Sequence, residues 1–298
     1  MNNVIVPWRR AVITVDQFAR ADIDEIFALA ARLSVGRTMP LTGKSIVNLF
    51  YEPSTRTSSS FHAAMSRLGG SVIPINEVNY SSVTKGETLE DTIRTLESYT
   101  DALVLRHYDE GATERAVSVA SVPIINAGNG AGEHPTQALL DLYTIFKERG
   151  RIDGLNVTLM GDLKHGRTVH SLIKLLRMYD VNIRLVSPLE LSLPKPYLHK
   201  DDTERTNLES VIDDTDILYV TRVQKERFAD ELAIDIFYSV TRSDMDRAKD
   251  NLVLMHPLPR VGEIPTELDN DPRSAYFRQV KYGLHVRMAL LVAMIGRD

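Results

Sequence analysis

The sequence predicts an α/β protein of two three-layer α/β/α domains, each with a mostly parallel sheet, joined by long helices. Three observations carry this. Short apolar runs alternate with helical periods along the chain, and the runs are apolar at nearly every position, as in strands buried on both faces. The second half then repeats the order of the first, and 298 residues suit two domains of ordinary size.

Ser45–Phe50, Ser71–Ile75, Ala102–Leu105 and Val122–Ile125 read as strands rich in Val, Ile and Leu. Between them, Phe61, Met65 and Leu68 are spaced i, i+4, i+7 and end at Gly69-Gly70; Leu89, Ile93 and Leu96 repeat that spacing after Glu87-Thr88. A helical stretch from Thr136 to Arg149 carries Leu139, Leu142, Ile145 and Phe146 to Gly150, where the second set begins. There Val157–Met160, Ile183–Val186, Ile217–Val220 and Leu252–Met255 read as strands, with a helix expected over Val169–Met178. Pro188, Pro194 and Pro196 mark an irregular connection. The final helix, Leu284 to Ile295, is apolar on nearly all sides, so burial against the first domain is expected. The expected division is a first domain over 1–135 completed by 284–298, a linking helix over 136–149, and a second domain over 150–283.

Composition narrows the function classes. With 35 Lys+Arg against 40 Asp+Glu the net charge is −5, which offers no global basic field for nucleic acid or an anionic membrane. Any anion must be caught locally. The longest apolar run, Met288 to Ile295, is far short of the ~18 residues that span a bilayer. Residues 1–10 lack the apolar stretch of a signal peptide, and the chain has no cysteine, so thiolate metal sites and thiol nucleophiles are excluded and a cytoplasmic location is expected. Glu52, Asp91, Asp141 and Asp162 show no metal-ligand spacing, and Gly161-Asp162-Leu163-Lys164-His165-Gly166 lacks the middle glycine of a dinucleotide turn. Neither a metal nor another cofactor is expected.

In open α/β sheets ligands gather at the carboxyl ends of strands, so the residues just after each run are the candidates. Tyr51-Glu52-Pro53-Ser54-Thr55-Arg56-Thr57 leads directly from a strand into a helix. Free backbone N–H groups and the positive dipole end make such a junction a phosphate cradle, to which Arg56 adds a bidentate fork. Taken singly, Ser54 could be a helix cap and Arg56 a solvated side chain. The other strand ends, however, carry Arg106, then His134 and Gln137, then Arg167, then Arg222 and Gln224, then His256-Pro257-Leu258-Pro259-Arg260. So many cations at strand ends fit a site for anions better than scattered surface ion pairs.

Phe50 to Thr57, together with His134-Pro135-Thr136-Gln137, resembles the carbamoyl-phosphate signature of the aspartate/ornithine carbamoyltransferase superfamily. Lys85-Gly86-Glu87-Thr88, the segment from Gly161 to Thr168, the segment from Thr221 to Arg227 and His256 to Arg260 are similar to the aspartate branch, and the likeness covers nearly the whole chain. The ornithine branch carries His-Cys-Leu-Pro where this chain has His256-Pro257-Leu258-Pro259. The resemblance implies transfer of the carbamoyl group from carbamoyl phosphate to L-aspartate, in pyrimidine biosynthesis. It assigns Ser54, Thr55, Arg56, Thr57 and Arg106 to the phosphate, with Thr57, Arg106 and His134 on the carbonyl oxygen. Gln137 and the carbonyls of Pro257 and Leu258 fall to the carbamoyl amino group, and Lys85, Arg167, Arg222 and Gln224 to the aspartate carboxylates. Ser81 and Lys85 match a loop that reaches into a neighbouring subunit's site, which implies a homotrimer; regulatory chains are further partners the resemblance admits. The two rival expectations are a carbamoyltransferase for another amine, such as an acylated ornithine, and a catalytically silent homologue.

Overall fold

The computed structural model describes residues 7–36, 38–75, 86–222 and 239–296. The chain divides into two compact units, residues 1–140 with 281–298, and residues 141–280.

The first unit contains β1 (Ala11–Val12), α1 (Arg20–Val35), β2 (Ser45–Phe50), α2 (Thr55–Arg67), β3 (Ser71–Ile75), α3 (Leu89–Leu96), β4 (Ala102–His107), α4 (Ala112–Val119) and β5 (Ile124–Asn129), and ends inside α5 (Pro135–Arg149). Its strands form one parallel sheet in the order β1-β5-β4-β2-β3. Val47, Leu49, Leu103, Leu105 and Ile124 pack with Leu89 and Ile93 of α3 and Ala112 and Ala116 of α4. The Thr88 hydroxyl caps α3 by accepting from the Asp91 N–H, with Glu90 and Asp91 favoured there by the helix dipole.

The second unit contains β6 (Leu155–Met160), α6 (Arg167–Leu176), β7 (Val181–Val186), β8 (Thr203–Arg205), β9 (Ile217–Val220), α7 (Arg242–Arg247) and β10 (Val253–Met255), and ends inside α8 (Tyr276–Ile295). Its sheet is also parallel, ordered β10-β9-β6-β7-β8. Leu218, Val220 and Leu254 share a core with Met245 of α7 and Tyr276 of α8.

Several expectations are corrected. β3 is not buried on both faces: it is the sheet edge, with one neighbouring strand and mostly exposed or half-buried residues. β4 runs on through Arg106 and His107, so Arg106 sits within the strand rather than after it. The last helix begins at Tyr276 instead of Leu284 and runs through Gly283, which packs closely on Leu140: a Cβ there would lie 2.9 Å from Leu140 Cδ2. Among the described residues no helix is long and apolar enough to cross a membrane.

Arg260 fastens the segment after β10 to the start of α8. Its guanidinium pairs with both carboxylate oxygens of Asp269, donates to the Tyr276 hydroxyl at 3.1 Å, and lies over the Tyr276 ring. Arg260, and after it the Tyr276 hydroxyl, hold the Asp269 carboxyl down from its ordinary 3.8 to about 2. A depressed folded-state pKa adds stability above the unfolded value that is lost as pH falls through the folded one. Asp269→Asn should therefore lower the unfolding temperature at pH 7, and its deficit against the unsubstituted chain should narrow between about pH 4 and pH 2, measured by circular dichroism.

Candidate active site

In the first unit three adjacent strands, β5, β4 and β2, deliver the predicted groups to one edge of the sheet. β2 ends at Phe50, opposite Arg106 of β4, and the Tyr51 N–H continues the ladder by donating to the Arg106 carbonyl at 2.8 Å. α2 starts four residues later. The side chain of Ser54 at its N-cap makes no capping hydrogen bond, so it leaves the first-turn N–H groups of Thr55, Arg56 and Thr57 uncapped by that side chain. Thr55 and Arg56 are exposed while Thr57 is buried. The helix start is tied to the strand by Asn48, a fully buried side chain whose amide donates to the Ser58 carbonyl at 3.1 Å. On α2, Arg287 of α8 donates to Ser60 Oγ at 3.0 Å and lies over the Phe61 ring.

Arg106 is aimed by its neighbours. Its Nε lies 3.2 Å from a Glu52 carboxylate oxygen, and a terminal nitrogen donates to the Ala127 carbonyl at 3.4 Å. His134 is 4% exposed and sits immediately before α5, where Pro135 starts the helix and the His134 carbonyl accepts from the Gln137 and Ala138 N–H groups. The topology thus brings Ser54 to Thr57, Arg106, His134 and Gln137 to neighbouring strand ends.

In the second unit the adjacent strands β10, β9 and β6 do the same. After β6, the buried Asp162 carboxylate accepts from the His165 N–H at 2.9 Å and holds the turn that places Arg167 first in α6. Gly161, at φ +116°, passes so close to the end of β9 that a Cβ would lie 2.2 Å from the Thr221 carbonyl oxygen. Arg222 follows Thr221 directly and is half-buried. Beyond β10, the His256 ring is 1% exposed and its Nδ1 accepts from the Leu258 N–H at 2.8 Å. That contact holds Leu258 at φ +56°, a left-handed conformation that costs a branched residue on the order of 1–2 kcal/mol. Ser81, Lys85 and Gln224 lie outside the described residues.

A network that the sequence reading missed lies beneath this edge. The fully buried Asp141 accepts from the Tyr219 hydroxyl at 2.8 Å and from Gln279 Nε2 at 2.6 Å; Gln279 Oε1 accepts from the His256 N–H at 3.0 Å. Burial first, then the Asp141 charge, pushes the Tyr219 phenol well above its ordinary pKa, so it remains a donor. Its one sequence signal is an acid inside the apolar run Leu139-Leu140-Asp141-Leu142. Glu52, Asp91, Asp141 and Asp162 each make contacts with the chain's own groups, Arg106, Arg94, Tyr219 with Gln279, and His165 respectively. Among the described residues no group of His, Asp and Glu could hold a metal ion.

Comparison with known proteins converges on one family. The model described as aspartate/ornithine carbamoyltransferase, carbamoyl-P binding domain, matches residues 10–147, and the Asp/Orn binding domain model matches residues 153–294. The aspartate carbamoyltransferase catalytic subunit of Archaeoglobus fulgidus is 50% identical, over 95% of this chain and 98% of that protein. The multifunctional protein pyr1-3 of Dictyostelium discoideum is also 50% identical, over 96% of this chain, which spans only 13% of that much longer protein. Among solved structures, aspartate transcarbamoylase from Trypanosoma cruzi in complex with N-(phosphonacetyl)-L-aspartic acid superposes with a TM-score of 0.91, at 45% identity and covering 97% of this chain and 96% of that one. With both of its halves matched and such relatives along nearly its full length, the chain belongs to the aspartate/ornithine carbamoyltransferase family.

Proposed function

We propose that this chain transfers the carbamoyl group of carbamoyl phosphate to the amino group of L-aspartate, giving N-carbamoyl-L-aspartate and phosphate, a step of pyrimidine biosynthesis. The observation that carries it is that each unit holds its own set of polar and cationic groups: a helix-start cradle with Arg56, Arg106 and His134 at adjacent strand ends of one sheet, and Arg167 and Arg222 at adjacent strand ends of the other. Two arginines suit a second substrate with two carboxylates. A cationic amine such as ornithine would call for acids at those places.

Ser54, Thr55, Arg56, Thr57 and Arg106 bind the phosphate, and Thr57, Arg106 and His134 donate to the carbonyl oxygen. As the aspartate amine attacks the carbonyl carbon, negative charge grows on that oxygen, so fixed donors stabilise the tetrahedral species more than the substrate. Gln137 and the carbonyls of Pro257 and Leu258 accept from the carbamoyl amino group and fix its plane. Arg167, Arg222, Gln224 and Lys85 orient the carboxylates. The bond from the carbonyl carbon to the phosphate oxygen then breaks, and the departing phosphate is a ready acceptor for the amine proton. No covalent enzyme intermediate is required; the acceleration comes from orientation and electrostatic preorganisation. Lys85 and Ser81 act from a neighbouring subunit of a homotrimer in the cytoplasm.

A colorimetric assay should detect carbamoyl aspartate with aspartate as acceptor and no carbamoylation of ornithine; the reverse would overturn the reading. Within that assay, Arg222→Ala should raise the KM for aspartate and lower kcat with carbamoyl phosphate affinity nearly intact. His134→Ala should chiefly lower kcat, by about 10²–10³ as for a lost oxyanion donor. Equal loss of carbamoyl phosphate affinity in both would refute this partition of roles.

The shared site predicts complementation. Arg56→Ala and Lys85→Ala should each be nearly inactive alone. After equal amounts are unfolded and reassembled together, a site is intact when its own chain keeps Arg56 and its neighbour keeps Lys85, so about a quarter of the activity should return in a cyclic trimer. No recovery after verified reassembly would show that both residues serve one chain.

A further inference from the structure

We infer that Gln279, oriented by the buried carboxylate of Asp141, is a positioning residue that sets the Pro257 and Leu258 carbonyls for the carbamoyl amino group; this deepens the function proposed above and rests on it. The starting point is the one-sided chemistry of a carboxylate. Asp141 is fully buried on α5 and accepts from Gln279 Nε2 at 2.6 Å and from the Tyr219 hydroxyl at 2.8 Å. An ionised carboxylate only accepts, so Gln279 must turn its amide nitrogen toward Asp141 and its oxygen the other way. That oxygen takes the His256 N–H at 3.0 Å, at the end of β10.

From there the geometry passes along the backbone. The His256 Nδ1 accepts the Leu258 N–H at 2.8 Å, so the ring proton sits on Nε2. The peptide between Pro257 and Leu258 is trans, and in a planar trans peptide the carbonyl points opposite to the N–H. With the Leu258 N–H turned back onto the histidine, the Pro257 carbonyl faces away from it. Leu258 is held at its positive φ by the same contact. Four elements are tied together in this way: α5, β9, α8 and the segment after β10. An apolar residue at 279 would leave the Asp141 carboxylate and the His256 N–H without these partners, and would release the two carbonyls from their set directions.

Gln279→Glu tests this through pH. When protonated, the new side chain can donate its hydroxyl to Asp141 and accept from His256 as glutamine does; when ionised, it places a carboxylate against a carboxylate. The titratable groups linked to position 279 through contacts among the described residues include Asp141 on α5, Tyr219 on β9, and His256 with Glu263 beyond it. The expected result is activity near that of the unsubstituted enzyme at low pH and a fall with rising pH in a step that the unsubstituted enzyme lacks. The circular dichroism spectrum should stay constant across that step. Gln279→Met, which keeps the volume and removes both hydrogen bonds, should lower kcat about 10–100-fold and raise the KM for carbamoyl phosphate. Its inhibition constant for inorganic phosphate should stay within about twofold, because phosphate does not use the carbamoyl-directed carbonyls. The inference is overturned if Gln279→Glu shows no new titration, if Gln279→Met keeps its kcat and KM, or if phosphate affinity falls as far as that of carbamoyl phosphate. An unsubstituted chain that forms no carbamoyl aspartate would instead overturn the function itself.

Discussion

Repulsion between two anionic substrates is the constraint on which this structure turns. Carbamoyl phosphate carries about two negative charges, and aspartate with its amine deprotonated about two more; each close pair costs on the order of 4 kcal/mol at an effective dielectric of ~20. Only fixed cations and oriented dipoles can offset this, and a parallel sheet supplies places for both. Its strands all end on one edge, where the following helices begin, and α2 starts there without a side-chain cap from Ser54. In the first unit the order β5-β4-β2 puts the α2 start, Arg106 and His134 on neighbouring ends; in the second, β10-β9-β6 puts His256, Arg222 and Arg167 there.

Acids and amides of the chain hold these cations and the elements that carry them in place. Glu52 stands beside Arg106, Asp162 fixes the turn before Arg167, Asn48 ties α2 to β2, and Asp141 with Gln279 fixes the segment after β10. A buried polar group left without a partner would cost about 1–3 kcal/mol, and the Asn48 amide, Asp162, Asp141 and Gln279 each bond to a backbone or side-chain atom of another residue. On the mechanism proposed above, rigid support of this kind lets donors stand ready before charge develops on the carbonyl oxygen.

Elements set by the local pattern of apolar and turn residues were the legible part. The strands Ser45–Phe50, Ser71–Ile75 and Ile217–Val220 stand where the apolar runs place them, and the helix start at Thr55 is readable from Pro53-Ser54. What escaped depends on distant partners. The edge position of β3 follows from strand order, which an apolar run does not encode. α4 was not foreseen, its run of alanine, valine and polar residues offering a weak period. Asp141 was weighed from the sequence only as an acid without metal-ligand spacing, because its partner Gln279 lies 138 residues away in sequence. The last helix starts at Tyr276, ahead of the apolar run that marks it in the sequence from Leu284. Ser81, Lys85 and Gln224 were named from the sequence and lie outside the described residues.

On the function proposed above, charge compensation predicts an order of binding. Ser54 to Thr57, Arg106 and His134 lie in the first unit and Arg167 and Arg222 in the second, and on that proposal carbamoyl phosphate uses the first set and aspartate the second. Calorimetric titration with succinate, a dicarboxylate that lacks the reacting amine, reads this directly. Binding should be strong when the enzyme is saturated with carbamoyl phosphate and weak or undetectable on the empty enzyme. Equal succinate affinity with and without carbamoyl phosphate would contradict it.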